Sequence, residues 1–238
     1  MSGPGGRQSA RSFSGESGEQ MMKPHISVCI PVYQGASTLV ATLRSVLASA
    51  RADFEVVIRD NGSTDGTSDV IAGFDDPRIR LIRSEETLPL PANWRATVEQ
   101  ARGELIKVVC ADDLIHPDCL ATQATLLEDP SLALVACRRD FIDGNGRILT
   151  RNAGLPRLLG RRGVSEVARA TVRFGINPVG EPACAMFRRK DYDAIGGFDG
   201  SNVFVMDIDA WLRILTRGDM FGQPEAHAAF RMWTESFS

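Results

Sequence analysis

Short apolar, β-branched runs alternating with stretches of helical periodicity constrain this chain more than any other feature. HISVCIPVY (25–33), FEVVIRD (54–60) and ELIKVVC (104–110) read as strands, and RIRLIRS (78–84) alternates as an edge strand does. Between them, Leu39, Leu43, Val46 and Leu47 recur at helical spacing behind Ser37 as N-cap, and PANWRATVEQARG (91–103) is helical up to Gly103. NGSTDGT (61–67) is a loop of turn residues leading into a short helix. Strands that alternate with helices form a mostly parallel sheet covered on both faces, so the expectation is an α/β fold.

The second half is less regular. ALVACRRDFID (133–143), GNG and RIL suggest a hairpin, VSEVARATVRF (164–174) a helix, GINPVGEP (175–182) a loop and ACAMFRR (183–189) a strand. VMDIDAWLRILTRG (205–218) is an amphipathic helix with Trp211, Leu212 and Leu215 inward. Trp94 is expected in the core with Trp211. The first 24 residues are rich in Gly and Ser and read as a disordered tail, leaving one domain over 25–238. That tail lacks the apolar centre of a signal peptide. No run reaches the roughly 18 apolar residues that cross a bilayer, and no amphipathic anchor is evident.

In a parallel sheet, ligands bind beyond the C-terminal strand ends. Three such ends carry Pro31-Val32-Tyr33, Asp60-Asn61 and Asp112-Asp113. Neither GxGxxG after the first strand nor GxxxxGK[ST] is present, so both familiar phosphate loops are missing and positive charge must come from elsewhere. Asp112 and Asp113 are adjacent like charges. A helix cap accounts for one of them, a hard divalent cation for both. Asp60 suits either an Asx-turn or a ligand contact, and Asp207 and Asp209 suit a helix first turn. Arg95 and Lys107 are cations within reach of a diphosphate, although Lys107 also suits a strand edge. The net charge of −3 argues against binding nucleic acid through its phosphates. Five cysteines without a CxxC pair read as reduced core thiols.

SVCIPVYQGASTLVATLRSVLAS, FEVVIRDNGSTDGT, ARGELIKVVCADDLIHPDCL, FRRKDYDAIGGFD and DIDAWLRIL, in that order, resemble the inverting glycosyltransferases of the GT-A fold, family 2. The resemblance spans about residues 25 to 235. It implies a nucleotide-sugar-binding half (25–115), an acceptor-binding half (116–238), a UDP- or dTDP-sugar donor, and Mn2+ or Mg2+. Carried over by position, Pro31 and Tyr33 lie against the nucleoside, Asp60 reads the base and Asp112 faces the ribose or sugar. Asp113 holds the metal against the diphosphate, Asp207 is the catalytic base, and the GINPVGEP loop borders the acceptor. Three positions depart from the family pattern: Cys110 stands where a first acid is usual, Met206 where a glutamate precedes the base, and Trp233 where a histidine contacts the metal.

The implied acceptor is a saccharide or a lipid-linked molecule in polysaccharide or glycoconjugate synthesis. The implied location is cytoplasmic, with the inner face of the membrane compatible with a lipid-linked acceptor. The three departures also support a second reading, a catalytically degenerate domain kept as a nucleotide-binding or scaffolding subunit. A nucleotidyltransferase is disfavoured, because PVYQGAST offers one Gly and no Arg or Lys for a triphosphate.

Overall fold

The computed structural model describes residues 23–233. The expected tail over 1–24, apart from its last two residues, and the segment after Trp233 lie outside the described residues. The first half runs β1 (Ile26–Val32), α1 (Leu39–Leu47), β2 (Phe54–Asp60), α2 (Thr67–Ala72), β3 (Ile79–Arg83), α3 (Leu90–Glu99) and β4 (Leu105–Val108). The second half runs β5 (Leu114–Ile115), α4 (Cys119–Leu126), β6 (Leu132–Ile142), β7 (Ile148–Ala153), β8 (Gly160–Arg162), α5 (Val164–Phe174), β9 (Ala185–Arg188), α6 (Arg189–Ala194), α7 (Met206–Ile214) and β10 (Asp219–Arg231).

All described strands join one sheet in the order β3-β2-β1-β4-β9-β6-β10-β5, with β7 on β6 and β8 on β10. The β3-β2-β1-β4 part is parallel; β9 is antiparallel to both β4 and β6, so β6 and β10 point the same way as β1 and β4. Every residue of β1 and β2 is buried, which is why both sequences are near-continuous apolar runs. On one face Ile26, Val28, Ile30 and Val32 meet Leu39, Leu43 and Val46 of α1. On the other, Cys29, Val57, Ile106 and Val108 share a cluster with Val98, Phe187, Phe198 and Trp211. Each such aliphatic side chain contributes about 1.5–3 kcal/mol by leaving water.

The elements follow the sequence closely, with local shifts. The N-cap of α1 is Thr38 rather than Ser37, and no side chain caps it. The third helix stops at Glu99, short of Gly103. A Cβ at Gly103 would lie 2.6 Å from the Ser27 backbone nitrogen, so that glycine serves the approach of chain to strand rather than a helix end. Pro182–Cys184 form a 3-10 turn before β9 begins. Trp211 is fully buried as expected, but Trp94 is only half-buried. It packs edge-on against Phe198, with ring centroids 5.4 Å apart, and lines a cleft.

Candidate active site

The cleft has a volume of about 610 Å³ and opens where β1, β2 and β4 end. Pro31, Tyr33, Asn61, Trp94, Asp112 and Trp233 are among its walls. Two loops that shape it are bonded together. The Gln34 backbone N–H donates to Ser63 Oγ (2.9 Å), Gly35 N–H to Thr67 Oγ1 (3.0 Å) and Ala36 N–H to an Asp65 oxygen (3.0 Å). The STDGT half of the NGSTDGT loop is therefore the fastener that holds the first strand's exit loop in shape.

Asp60 does not reach the cleft. It is fully buried; Ser63 N–H donates to one carboxylate oxygen at 3.0 Å and Ser68 Oγ–H to the other at 2.7 Å. The turn at Ser63 takes one Asp60 oxygen and the Ser68 hydroxyl the other, so the carboxylate sits behind the cleft wall and braces the loop. The wall position belongs to Asn61. Its Oδ1 accepts from Leu88 N–H and from Arg59 (both 2.9 Å), and its Nδ2 donates to the Leu88 carbonyl (2.9 Å), which fixes the loop carrying Leu88 and Leu90.

The acidic pair is divided by burial. Asp112 is half-buried and faces the cleft, whereas Asp113 is fully buried beneath it. One Asp113 oxygen accepts from the Arg231 backbone N–H at 3.2 Å and the other has no hydrogen-bond partner. Burial, then the neighbouring charge of Asp112, pushes the Asp113 carboxyl well above the usual carboxylate range. The side chain of Arg231 does not pair with either acid. It donates to the carbonyls of Asp112 (3.0 Å), Asp143 (2.9 Å) and Gly144 (3.0 Å), tying β10 to the β4 exit and the β6–β7 turn. Of the two acids, Asp112 is the one open to the cleft. Trp233, in the position where a histidine ligand was expected to be missing, donates its indole N–H to Asp112 Oδ2 at 3.0 Å.

Asp207 sits in the first turn of α7 and is largely buried. Asn177 Nδ2–H donates to its Oδ2 at 2.8 Å, and the Ile208 N–H donates to its Oδ1 at 2.7 Å. Burial raises its carboxyl above the ordinary range, and those two bonds moderate the rise. Asp209 instead pairs with Arg213 one turn on, at 2.7 Å, as its helical position suggests. Glu181, from the GINPVGEP loop, pairs with Arg139 of β6, and burial raises its carboxyl despite that guanidinium. Asp113, Asp112, Asp207 and Glu181 all act electrostatically on Cys110, whose thiol burial and these acids hold well above its usual range.

Asn177, bonded to Asp207, and the Glu181–Arg139 pair are polar groups that the sequence left unmarked, though Asn177 and Glu181 lie in the loop expected to border the acceptor. Two expected cations are not in the site. Arg95 donates to the Phe198 carbonyl, and Lys107 is fully buried with its Nζ on Gln123 Oε1 at 2.7 Å.

A divalent cation fits the acidic pair on two observations: an orphaned Asp113 oxygen and, among the described residues, no guanidinium or ammonium bound to either carboxylate. Among the described residues no three His, Cys, Asp or Glu side chains converge as a metal cage. The protein contribution would be one or two carboxylates, the arrangement that hard cations use when phosphate and water complete the shell.

A parallel half-sheet ending in a cleft with a carboxylate on its wall has the architecture of the GT-A glycosyltransferase fold. It superposes on the crystal structure of S. aureus TarS 1-349 in complex with UDP-GlcNAc, with a TM-score of 0.69 and 16% identity, covering 87% of this chain and 58% of that one. The mannosyltransferase PcManGT from Pyrobaculum calidifontis, in complex with GDP-Man and Mn2+, gives 0.65 and 20%, covering 88% and 57%. The family model Glycosyl transferase family 2 matches residues 27–196, and the chain belongs to that family. Uncharacterized protein MT1568 of Mycobacterium tuberculosis (strain CDC 1551 / Oshkosh) is 35% identical over 204 residues. That match takes in 82% of this chain but 63% of the mycobacterial protein, so the chain spans less than two thirds of this relative's length.

Proposed function

We propose that this chain transfers a glycosyl group from a UDP- or dTDP-sugar to an acceptor hydroxyl with inversion, in polysaccharide or glycoconjugate synthesis at the cytoplasmic side of the membrane. One observation carries the reading: Asp112 lines the cleft at the end of the parallel strands, and Asn177, in the loop after α5, holds the Asp207 carboxylate at the start of α7. The nucleoside lies between Pro31, Tyr33 and the loop fixed by Asn61. Asp207 accepts the acceptor's hydroxyl proton as that oxygen bonds to the anomeric carbon. The bond from that carbon to the diphosphate breaks on the opposite side, and its electron pair leaves with the nucleoside diphosphate. One displacement with one base inverts the centre without a covalent intermediate. Asp112, with Asp113 behind it, would hold Mn2+ or Mg2+, which stabilises the charge developing on the diphosphate. The fully buried Asp113 also fixes the Arg231 backbone, and with it the floor of the cleft.

Calorimetry with UDP, dTDP, GDP and CDP, with and without Mn2+, tests the donor half. One diphosphate should bind with metal and lose at least ten-fold in Asp112→Ala. Folded protein that binds none of them would refute the transferase reading. The degenerate-domain reading rests on Cys110 and on the indole already occupying an Asp112 oxygen. Nucleotide binding without any donor turnover, by wild type with metal and a range of acceptor sugars, would favour it.

A further inference from the structure

The chain is firmly anchored just before Trp233. Arg231 N–H donates to Asp113 Oδ1 (3.2 Å) and Met232 N–H to the Ile142 carbonyl (2.8 Å). The Arg231 guanidinium holds the carbonyls of Asp112, Asp143 and Gly144. Trp233 therefore leaves β10 at a fixed point between the β4 exit and the β6–β7 turn. Its six-membered ring rests against Gly144, where a Cβ would lie 3.4 Å from indole Cζ3. The indole N–H meets Asp112 Oδ2 at 3.0 Å, and the residue lines the cleft.

An indole nitrogen is a donor without a free lone pair, so Trp233 hydrogen-bonds the Asp112 carboxylate and cannot itself ligate a cation. The bond takes one oxygen and restricts the side chain to one orientation. Among the described residues no hydrogen bond engages Asp112 Oδ1, so a second, oriented oxygen stays open at the cleft wall. Behind it, Asp113 keeps an orphaned oxygen of its own. One or two carboxylates suit a small octahedral cation when phosphate and water complete its shell. Oxygen donors alone suit Mg2+ and Mn2+ alike, whereas an imidazole in the set favours the transition ion.

We propose that Trp233 is a positioning residue for Asp112: it holds one carboxylate oxygen so that the other faces the cation, and it leaves a site of oxygen ligands only, which Mg2+ fills as well as Mn2+. The proposal deepens the transfer reading and rests on it, since the cation's partner is the donor's diphosphate. An indole that orients Asp112 strengthens cation-dependent binding, whereas one that plugs the site weakens it, and the two have opposite signs in one experiment.

UDP, dTDP, GDP and CDP are titrated calorimetrically into wild type, Trp233→Phe and Trp233→His, each with Mg2+, Mn2+ or EDTA. Wild type should bind its diphosphate with either cation, at affinities within about ten-fold. Trp233→Phe keeps a ring but loses the donor, and should weaken cation-dependent binding about ten-fold while binding in EDTA is unchanged. Trp233→His supplies a nitrogen ligand, so Mn2+ should gain on Mg2+ by on the order of ten-fold. Pulsed EPR of bound Mn2+ should then show a nitrogen coupling that wild type lacks. Urea midpoints check that both variants are folded, and should the histidine variant fail to fold, Trp233→Phe decides. Tighter cation-dependent binding by Trp233→Phe would make the indole a plug and overturn the proposal. Unchanged binding, an equal loss with and without cation, or a wild type that binds only with Mn2+ would also overturn it, with the transfer reading left standing. A folded wild type that binds no diphosphate overturns both.

Discussion

Lys107 and Gln123 allow a quantitative test of how the strand beneath the acidic pair is held. Both are fully buried; Lys107 Nζ–H donates to Gln123 Oε1 at 2.7 Å, and Gln123 Nε2–H donates to the Cys184 carbonyl, also at 2.7 Å. The Cys119 thiol lies 3.7 Å from the same Oε1. Among the described residues no carboxylate pairs with Lys107, so one amide carbonyl is its main acceptor. Gln123→Met keeps the volume but strands a buried ammonium, at about 3–5 kcal/mol, part of which is the donor lost by the Cys184 carbonyl. Lys107→Met removes the charge with its desolvation cost and should lie within about 1.5 kcal/mol of wild type. The double variant should recover most of the Gln123→Met loss, giving a coupling of about 2 kcal/mol or more. Urea unfolding of the four proteins, at equal m-values, reads this directly. In a domain of this size the single loss corresponds to about 10 °C in Tm. If Gln123→Met costs under about 1 kcal/mol and the cycle shows no coupling, Lys107 is not held by charge and dipole as argued.

Asp207→Asn should lower donor turnover by about 10²–10⁴-fold with diphosphate binding intact, which kinetics and calorimetry check together. Its pH effect has a fixed sign. Because burial raises the native carboxyl, the folded state retains a proton that the unfolded chain has released, so stability falls as pH rises from the ordinary carboxylate range to the raised value. Asn at 207 should flatten that slope, measured by urea midpoints across the window; an unchanged slope would point to Glu181, which burial shifts in the same direction. Asn177→Ala removes a bond that favours the ionised form, so the acid limb of kcat/KM should move to higher pH, with a rate loss of about ten-fold at neutral pH. Gly222→Ala should destabilise by about 3 kcal/mol on denaturant unfolding, because its Cβ would sit 2.0 Å from the Leu158 carbonyl oxygen, a backbone atom that cannot swing aside.

The first half was legible because each element signals itself locally. β1 and β2, buried on both faces, require unbroken apolar runs, and the α1 stripe of Leu39, Leu43 and Val46 repeats at the period of the helix it makes. The same reasoning recovered α5 residue for residue and the β6–β7 pairing. It also placed the three strand ends that form the rim, and Asp207 and Asp209 in the first turn of a helix.

Sequence alone determined the α/β architecture and the rim, since periodicity and turn residues are properties of neighbours along the chain, and its motifs carried the resemblance to the family. The tertiary structure decided which of the rim's polar groups face the cleft. Asp60 and Asn61, like Asp112 and Asp113, are adjacent in sequence, yet one of each pair is fully buried and its neighbour lines the cleft. Lys107 looks like a strand-edge charge until Gln123, sixteen residues away, is seen to receive it. Trp233 meets Asp112 across 121 positions, and Asn177 meets Asp207 across 30. Access and partnership depend on which distant segments arrive at a point in space, and no local pattern encodes that arrival.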